Sequence, residues 1–399
     1  MFSKYFMIVF LFLCLHCNLY SQEKATQEQI DQFFMMLLSY KNSQETPIFS
    51  PLFLSHVPDA KILEIRDHLK TYGAYKRSTA AGKNKIEIFF EKASMQASVY
   101  FNSEGKVEGL WFSPPRMLEE TLDNVKEDLL AWQENVSLCV RKNGQEFYAI
   151  HKSSPMGVGS AFKLLVLKEL ANKISKGEEK WDRVVLLDPK HKSLPSGTLQ
   201  TWPDNTPLTI ATMANMMISI SDNTATDLLI ETLGRESIEK ISPERMQPFL
   251  KTIEMFKIKW AMDEEKIKEY LQSDLSKKRI FLQSLDKISK DSIKIASHPT
   301  YIDSIEWLLT TEELCQIIES MQGIDALYIN PGIPSLKTNW KYIAYKGGSE
   351  PGVFNMTFLL QKEEKSDIFS VSLTANNHKK DIDANKFIEF MWRIIAFLK

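Results

Sequence analysis

The sequence predicts an α+β protein of two domains, the first small and the second larger. Three observations carry the prediction. An early helical apolar period is followed by short segments of period two. A double proline at Ser113-Pro114-Pro115 disfavours helix and marks an extended linker. Beyond it, further helices surround a hairpin and lead to three more strands. A chain of 399 residues accommodates two domains and an export segment.

Lys4 precedes an apolar run over 5–15, which is shorter than a bilayer span needs. Leu19-Tyr20-Ser21 ends in a small residue, so residues 1–21 are expected to be a signal peptide cleaved after Ser21. The protein is then exported, periplasmic or secreted, with no stable membrane span after cleavage. The first domain is expected over 25–113. Ile30, Phe33, Phe34 and Leu37 recur at helical spacing within a helix over 25–45, and a second helix lies within 53–69. Strands follow at 86–90, 97–101 and 107–112, with turns at 80–83 and 102–105. Helices followed by a curled antiparallel sheet suggest a cystatin-like or NTF2-like α+β domain, read as a folding or positioning module.

The second domain is expected over 118–399. It opens with a helix at 118–133 and a hairpin, 136–140 and 146–150, around Asn143-Gly144. Helices are predicted at 160–174 and 206–219, the latter with Met213, Met216 and Met217 as core filling. Residues 259–297 are rich in lysine and glutamate with a helical period, which suits a lid or a solvated insertion equally. Strands at 342–346, 353–361 and 369–376 precede an amphipathic helix at 386–398.

A net charge of −2 gives no electrostatic case for nucleic acid or anionic membrane as a partner. Cys14 and Cys17 fall in the export segment; Cys139 and Cys315 have no metal-like spacing and are read as buried free thiols. The seven histidines form no zinc-binding pattern, so neither a metal nor a cofactor is implied.

Catalysis is suggested by three short segments. Ser160-Ala161-Phe162-Lys163 is one of five Ser-x-x-Lys stretches, the others starting at Ser21, Ser103, Ser237 and Ser284. Only Ser160 is followed about sixty residues later by Ser221-Asp222-Asn223 and then by Lys346-Gly347-Gly348. Each segment alone has a structural explanation: a helix N-cap, a turn, a surface lysine. Their order, spacing and flanks together argue for a site. Residues three apart in a helix share a face, so Lys163 stands beside the Ser160 hydroxyl. An ordinary lysine is protonated at neutral pH; burial and a neighbouring Lys346 would leave it neutral and able to take a proton.

These segments are the signature of class A β-lactamases and penicillin-binding proteins, and the chain resembles that superfamily from about residue 119 onward. VGSAFKLLVLKEL is similar to the nucleophile helix, SISDNTATDLLIETLG to the Ser-Asp-Asn loop and its helix, and YKGGSEPGVFNMTFLL to the strand pair bearing the third motif. PFLKTIEMFKIK, SIEWLL and YKGGSEPGV resemble a narrower group, exported serine hydrolases similar to the clavulanate-cluster β-lactamase-like protein, in which a small α+β domain comes first. The resemblance implies an antiparallel sheet flanked by helices, plus an all-helical subdomain. It implies a serine hydrolase that forms an acyl-enzyme on Ser160 from a small-molecule β-lactam, amide or ester, with a DD-peptidase, an esterase or a catalytically weak penicillin-binding module as alternatives.

The roles it implies are specific. Ser221 relays a proton to the leaving group, Asn223 holds a substrate amide, and Asp222 faces away to brace the loop. Lys346 attracts a carboxylate, Gly347 and Gly348 leave room for an extended substrate, and the amides of Ser160 and Ser349 form the oxyanion hole. Two departures stand out. Lys-Gly-Gly lacks the hydroxyl of Lys-Thr-Gly, which is then absent or comes from Ser349. There is no Glu-x-x-Leu-Asn, and Glu254, at a similar distance beyond Asn223, has a different context. Fast deacylation is therefore not expected.

Overall fold

The structure, a computed structural model, describes residues 26–398 apart from 83–84, 114, 334–335 and 337–339. The expected signal peptide lies outside the described residues. Among these, no helix is long and apolar enough to cross a membrane. The chain divides into two compact units. One holds the described residues up to Val125 together with Ala384–Phe397; the other holds Lys126–Asp383.

In the first unit, the helix Gln27–Leu38 begins in a capping box at Thr26 and Gln29, and buries Ile30, Phe33, Phe34 and Leu37. The single helix expected within 53–69 is two, Pro51–His56 and Asp59–Lys70, because Pro58 cannot continue the first and starts the second. Four antiparallel strands follow in sequential order: Tyr75–Gly82, Lys85–Phe90, Ala93–Phe101 and Val107–Phe112. The first strand continues to Gly82, through most of the turn expected at 80–83. Phe34, Leu37, Tyr40, Ile62, Ile88 and Phe90 form the core between helices and sheet.

This unit continues beyond the double proline. Arg116–Met117 pairs with Ala93 and Ser94, and Arg393 of the helix Ala384–Ala396 donates to Glu120 at 2.7 Å. The C-terminal helix thus groups with the first unit, where the sequence had suggested the second. Its amphipathic pattern reports a buried face but not which core it joins.

The second unit has an antiparallel five-stranded sheet in the order Tyr342–Glu350, Val353–Gln361, Ile368–Asn376, Asn135–Lys142, Gln145–Ile150. The expected Asn143-Gly144 turn joins the last two, with both residues at positive φ, 50° and 77°. The helix Thr311–Glu319 packs on the three central strands. A layer of helices includes Lys163–Ser175, Ile210–Ser219, Asn223–Leu233 and Thr252–Ala261. The helix expected at 206–219 starts only at Ile210, because Pro207–Thr209 pairs as a strand with Val184–Leu186.

The core of this unit joins Leu165, Met213, Met217, Leu229 and Leu314, and Phe162 stacks on Trp307 with centroids 3.7 Å apart. Met216 packs on this core without being fully buried. Cys139 and Cys315 are both free and buried, the Cys315 thiol donating to the Cys139 carbonyl at 3.4 Å.

Candidate active site

The edge position of Tyr342–Glu350 creates the site. Among the described residues one side of this strand has no strand neighbour, and the short 3-10 turn Gly159–Phe162, which leads into the helix Lys163–Ser175, packs against the strand. That approach requires Gly348: a Cβ there would overlap the Val158 carbonyl and lie 2.5 Å from the Ser160 amide nitrogen. A Cβ on Gly159 would likewise lie 2.8 Å from the Ser349 amide nitrogen. The amides of Ser160 and Ser349 are thus brought side by side. Ser160 opens onto a cavity of about 500 Å³ that is also lined by Ser221, Asn223, Lys346, Gly347, Gly348 and Ser349.

Ser221 follows the helix Ile210–Ser219 and has φ +57°, a strained conformation for a serine. The next residue holds it there. Asp222 is fully buried; it caps the helix Asn223–Leu233 through the Ala225 amide at 2.8 Å and accepts from the Thr198 and Leu199 amides at 2.6 and 2.9 Å. This is the bracing expected of Asp222.

Lys163 is fully buried, and its hydrogen bonds run to the Ser221 loop. The amine lies 2.6 Å from the Ser221 carbonyl, 2.6 Å from Asn223 Oδ1 and 3.1 Å from Ser221 Oγ. Lys346 Nζ reaches the same Ser221 Oγ at 3.1 Å. The Ser221 hydroxyl therefore stands between two amines. Burial, reinforced by the positive charge of Lys346, pushes Lys163 well below the ordinary lysine range. Burial alone brings Lys346 down to about 7. Lys163 donates to the two carbonyl oxygens and to Ser221 Oγ, which also accepts from Lys346.

Asn223 is more committed than its expected role suggests. Its Oδ1 holds Lys163, and Nδ2 donates to the Leu194 carbonyl at 3.1 Å, leaving one amide proton to offer. Glu254 is turned away, paired with Arg235 at 2.6 Å and accepting from the Lys251 amide at 2.8 Å. Thr252 and Met255 of the same helix line the cavity in its stead.

Sequence reasoning missed Tyr345. Strand alternation puts it on the same side as Gly347, and a Cβ on Gly347 would lie 2.1 Å from the Tyr345 hydroxyl oxygen, a steric overlap. The phenol occupies the space a Lys-Thr-Gly threonine would fill, and it lines the cavity. The available signal was an aromatic two residues before an unexpected glycine. Phe256 and Trp260 were also missed. They stack at 5.3 Å and form a cavity wall, and their i, i+4 spacing was the signal. Of the lysine-rich stretch, Ile295 reaches this wall.

Sheet, helical layer and Ser-Lys-Ser arrangement together define a β-lactamase-like α+β fold. Residues 117–278 match the model of a family described as "Beta-lactamase enzyme family". No curated protein sequence matches the chain. Solved structures similar to it include a β-lactamase from Sphaerobacter thermophilus DSM 20745, 16% identical over 69% of this chain and 97% of that one, TM-score 0.48. PBP-A is 15% identical over 71% of this chain and 98% of its own, TM-score 0.45. An ancestral (GNCA) class A β-lactamase is 14% identical over 68% and 98%, TM-score 0.47.

Proposed function

We propose that the protein is an exported serine hydrolase that forms an acyl-enzyme on Ser160 with β-lactams or related amides and esters bearing a carboxylate. The observation that carries this reading is the Ser221 hydroxyl bridging Lys163 and Lys346 in the cavity that Ser160 lines.

Neutral Lys163 takes the Ser160 proton as Oγ bonds to the substrate carbonyl carbon. The resulting oxyanion accepts from the Ser160 and Ser349 amides. The proton passes through Ser221 to the leaving nitrogen or oxygen as its bond to carbon breaks, leaving an ester on Ser160. Asn223 offers its remaining amide proton to a substrate carbonyl. Lys346 and the Tyr345 hydroxyl hold the carboxylate, and Gly347 and Gly348 let the substrate lie against the strand. The first unit is read as a cystatin- or NTF2-like folding or positioning module of clavulanate-cluster-type proteins.

Water must then cleave the ester. With Glu254 tied to Arg235, no carboxylate faces Ser160 from the helix Thr252–Ala261. This favours slow deacylation, as in a penicillin-binding enzyme or DD-peptidase, over rapid β-lactam turnover. Intact mass spectrometry with a β-lactam panel tests both points. The expected result is a long-lived adduct on the wild-type protein and none on Ser160→Ala. A rapidly cleared adduct would restore the β-lactamase reading, and no adduct with any β-lactam would remove these compounds as substrates.

The carboxylate role of Tyr345 has its own test. Tyr345→Phe removes a hydroxyl that donates to a charged group, a bond worth roughly 1.5–3 kcal/mol. KM for a carboxylate substrate should rise about tenfold or more with little change in kcat, while the methyl ester of that substrate is unaffected. Equal losses on acid and ester would show that Tyr345 acts through packing.

A further inference from the structure

Lys346 and Glu350 are four residues apart on one strand and, by alternation, on the same side, with Gly348 between them. Both line the cavity, and Glu350 is its one acidic lining residue among the described residues. At about 3.4 Å per residue their backbones are about 14 Å apart, with the Ser160 turn packed midway against Gly348.

The surroundings of Glu350 are unbalanced. Lys259, whose side chain is fully buried, is shared by two carboxylates, Glu306 at 3.1 Å and Glu350. Both Glu306 oxygens are used, one by Lys259 and the other by the Trp307 amide at 3.1 Å. Glu350 gives one oxygen to Lys259, and its other oxygen, Oε2, is buried with no protein N–H or O–H facing it, its carboxyl lying against that of Glu306. The Glu350 side chain is only 9% exposed. One ammonium thus faces two acids, and the surplus oxygen belongs to the acid in the cavity wall. Burial and the nearby Glu306 push the Glu350 carboxyl well above the usual range, so in the empty site a proton offsets the surplus charge. The stacked rings of Phe256 and Trp260 line the same cavity. Acid and aromatic faces together are the chemistry that binds an ammonium.

We propose that Glu350 is the ammonium subsite of a zwitterionic substrate. Lys346 takes the substrate's carboxylate on one side of the scissile bond, and Glu350 takes a protonated amine on the other, the acyl side. The inference rests on the carboxylate reading of Lys346 given above and narrows the substrate class to aminoacyl compounds.

Ampicillin and benzylpenicillin differ by one α-ammonium group and serve as probes. Their equilibrium binding to the Ser160→Ala protein is measured by calorimetry, with and without Glu350→Gln, a variant that leaves Lys259 and Glu306 as a balanced pair. Ampicillin is expected to bind about tenfold more tightly, as one charge-assisted contact allows, and Glu350→Gln should bring the ratio to about one. Equal affinities, no binding of either compound, or a ratio unchanged by Glu350→Gln would overturn the inference. If Glu350→Gln does not fold, as judged by its melting curve, the ratio on Ser160→Ala alone decides. A preserved preference without any wild-type adduct would refute the acyl-enzyme reading and leave this one standing.

Discussion

Lys163→Ala is expected to lower the acylation rate of Ser160 by about 10²–10⁴ at pH 7, the usual worth of a positioned general base. The argument begins with solvation. Burying an ammonium is costly, and Lys346 on the far side of Ser221 adds like-charge repulsion, so the free amine of Lys163 is favoured well beyond that of an ordinary lysine. Only in that state can it accept the Ser160 proton. Alanine removes the base and leaves Ser160, the oxyanion amides and Lys346 in place, so binding should survive while chemistry slows. Stopped-flow acylation with a chromogenic β-lactam measures the rate. A melting curve guards against unfolding, since Asn223 Oδ1 loses its donor and the Ser221 carbonyl keeps only Ser196 Oγ. A rate equal to wild type would require another base.

Ser160, Lys163, Ser221 and Lys346 could be singled out as candidates from the sequence because local rules place them. A helix start fixes Ser160 relative to Lys163, a helix N-cap at Asp222 fixes Ser221, and a strand carries Lys346. Their convergence was legible only as a concordance of order and spacing. Tyr345 and Glu350 were not found, for a different reason: their significance lies in what they meet. The empty volume over Gly347 that admits a phenol, and the surplus acid around Lys259, are tertiary facts with no local pattern. Glu254 shows the converse. Its distance from Asn223 resembles a catalytic spacing, but Arg235, the first residue of the short helix Arg235–Glu239, captures it. The helix Ala384–Ala396 was recognised from its apolar period, yet that period is the same whichever unit buries it.

For substrates bearing a carboxylate, kcat/KM should fall about tenfold per pH unit above about pH 7, because Lys346 attracts the carboxylate only while charged and burial brings it down to about 7. The methyl ester of the same substrate should lack this basic limb. Bound carboxylate favours the charged amine, so the limb in kcat alone should lie at higher pH. The contribution of Lys346 to stability has the opposite sign. Its pKa in the folded chain is below the ordinary 10.5, so between about 7 and 10.5 the unfolded chain binds the extra proton. The cost of burying the charge is fully present below pH 7 and is relieved as pH rises through that window. Affinity for carboxylates should therefore decline over the range in which this lysine contributes increasing stability, and global acid–base unfolding would not produce such a divergence. Lys346→Met should abolish both trends, giving a flat and low kcat/KM for the carboxylate substrate. A basic limb that persists in Lys346→Met, or appears equally with the ester, would assign the titration to another group and remove Lys346 as the carboxylate's partner.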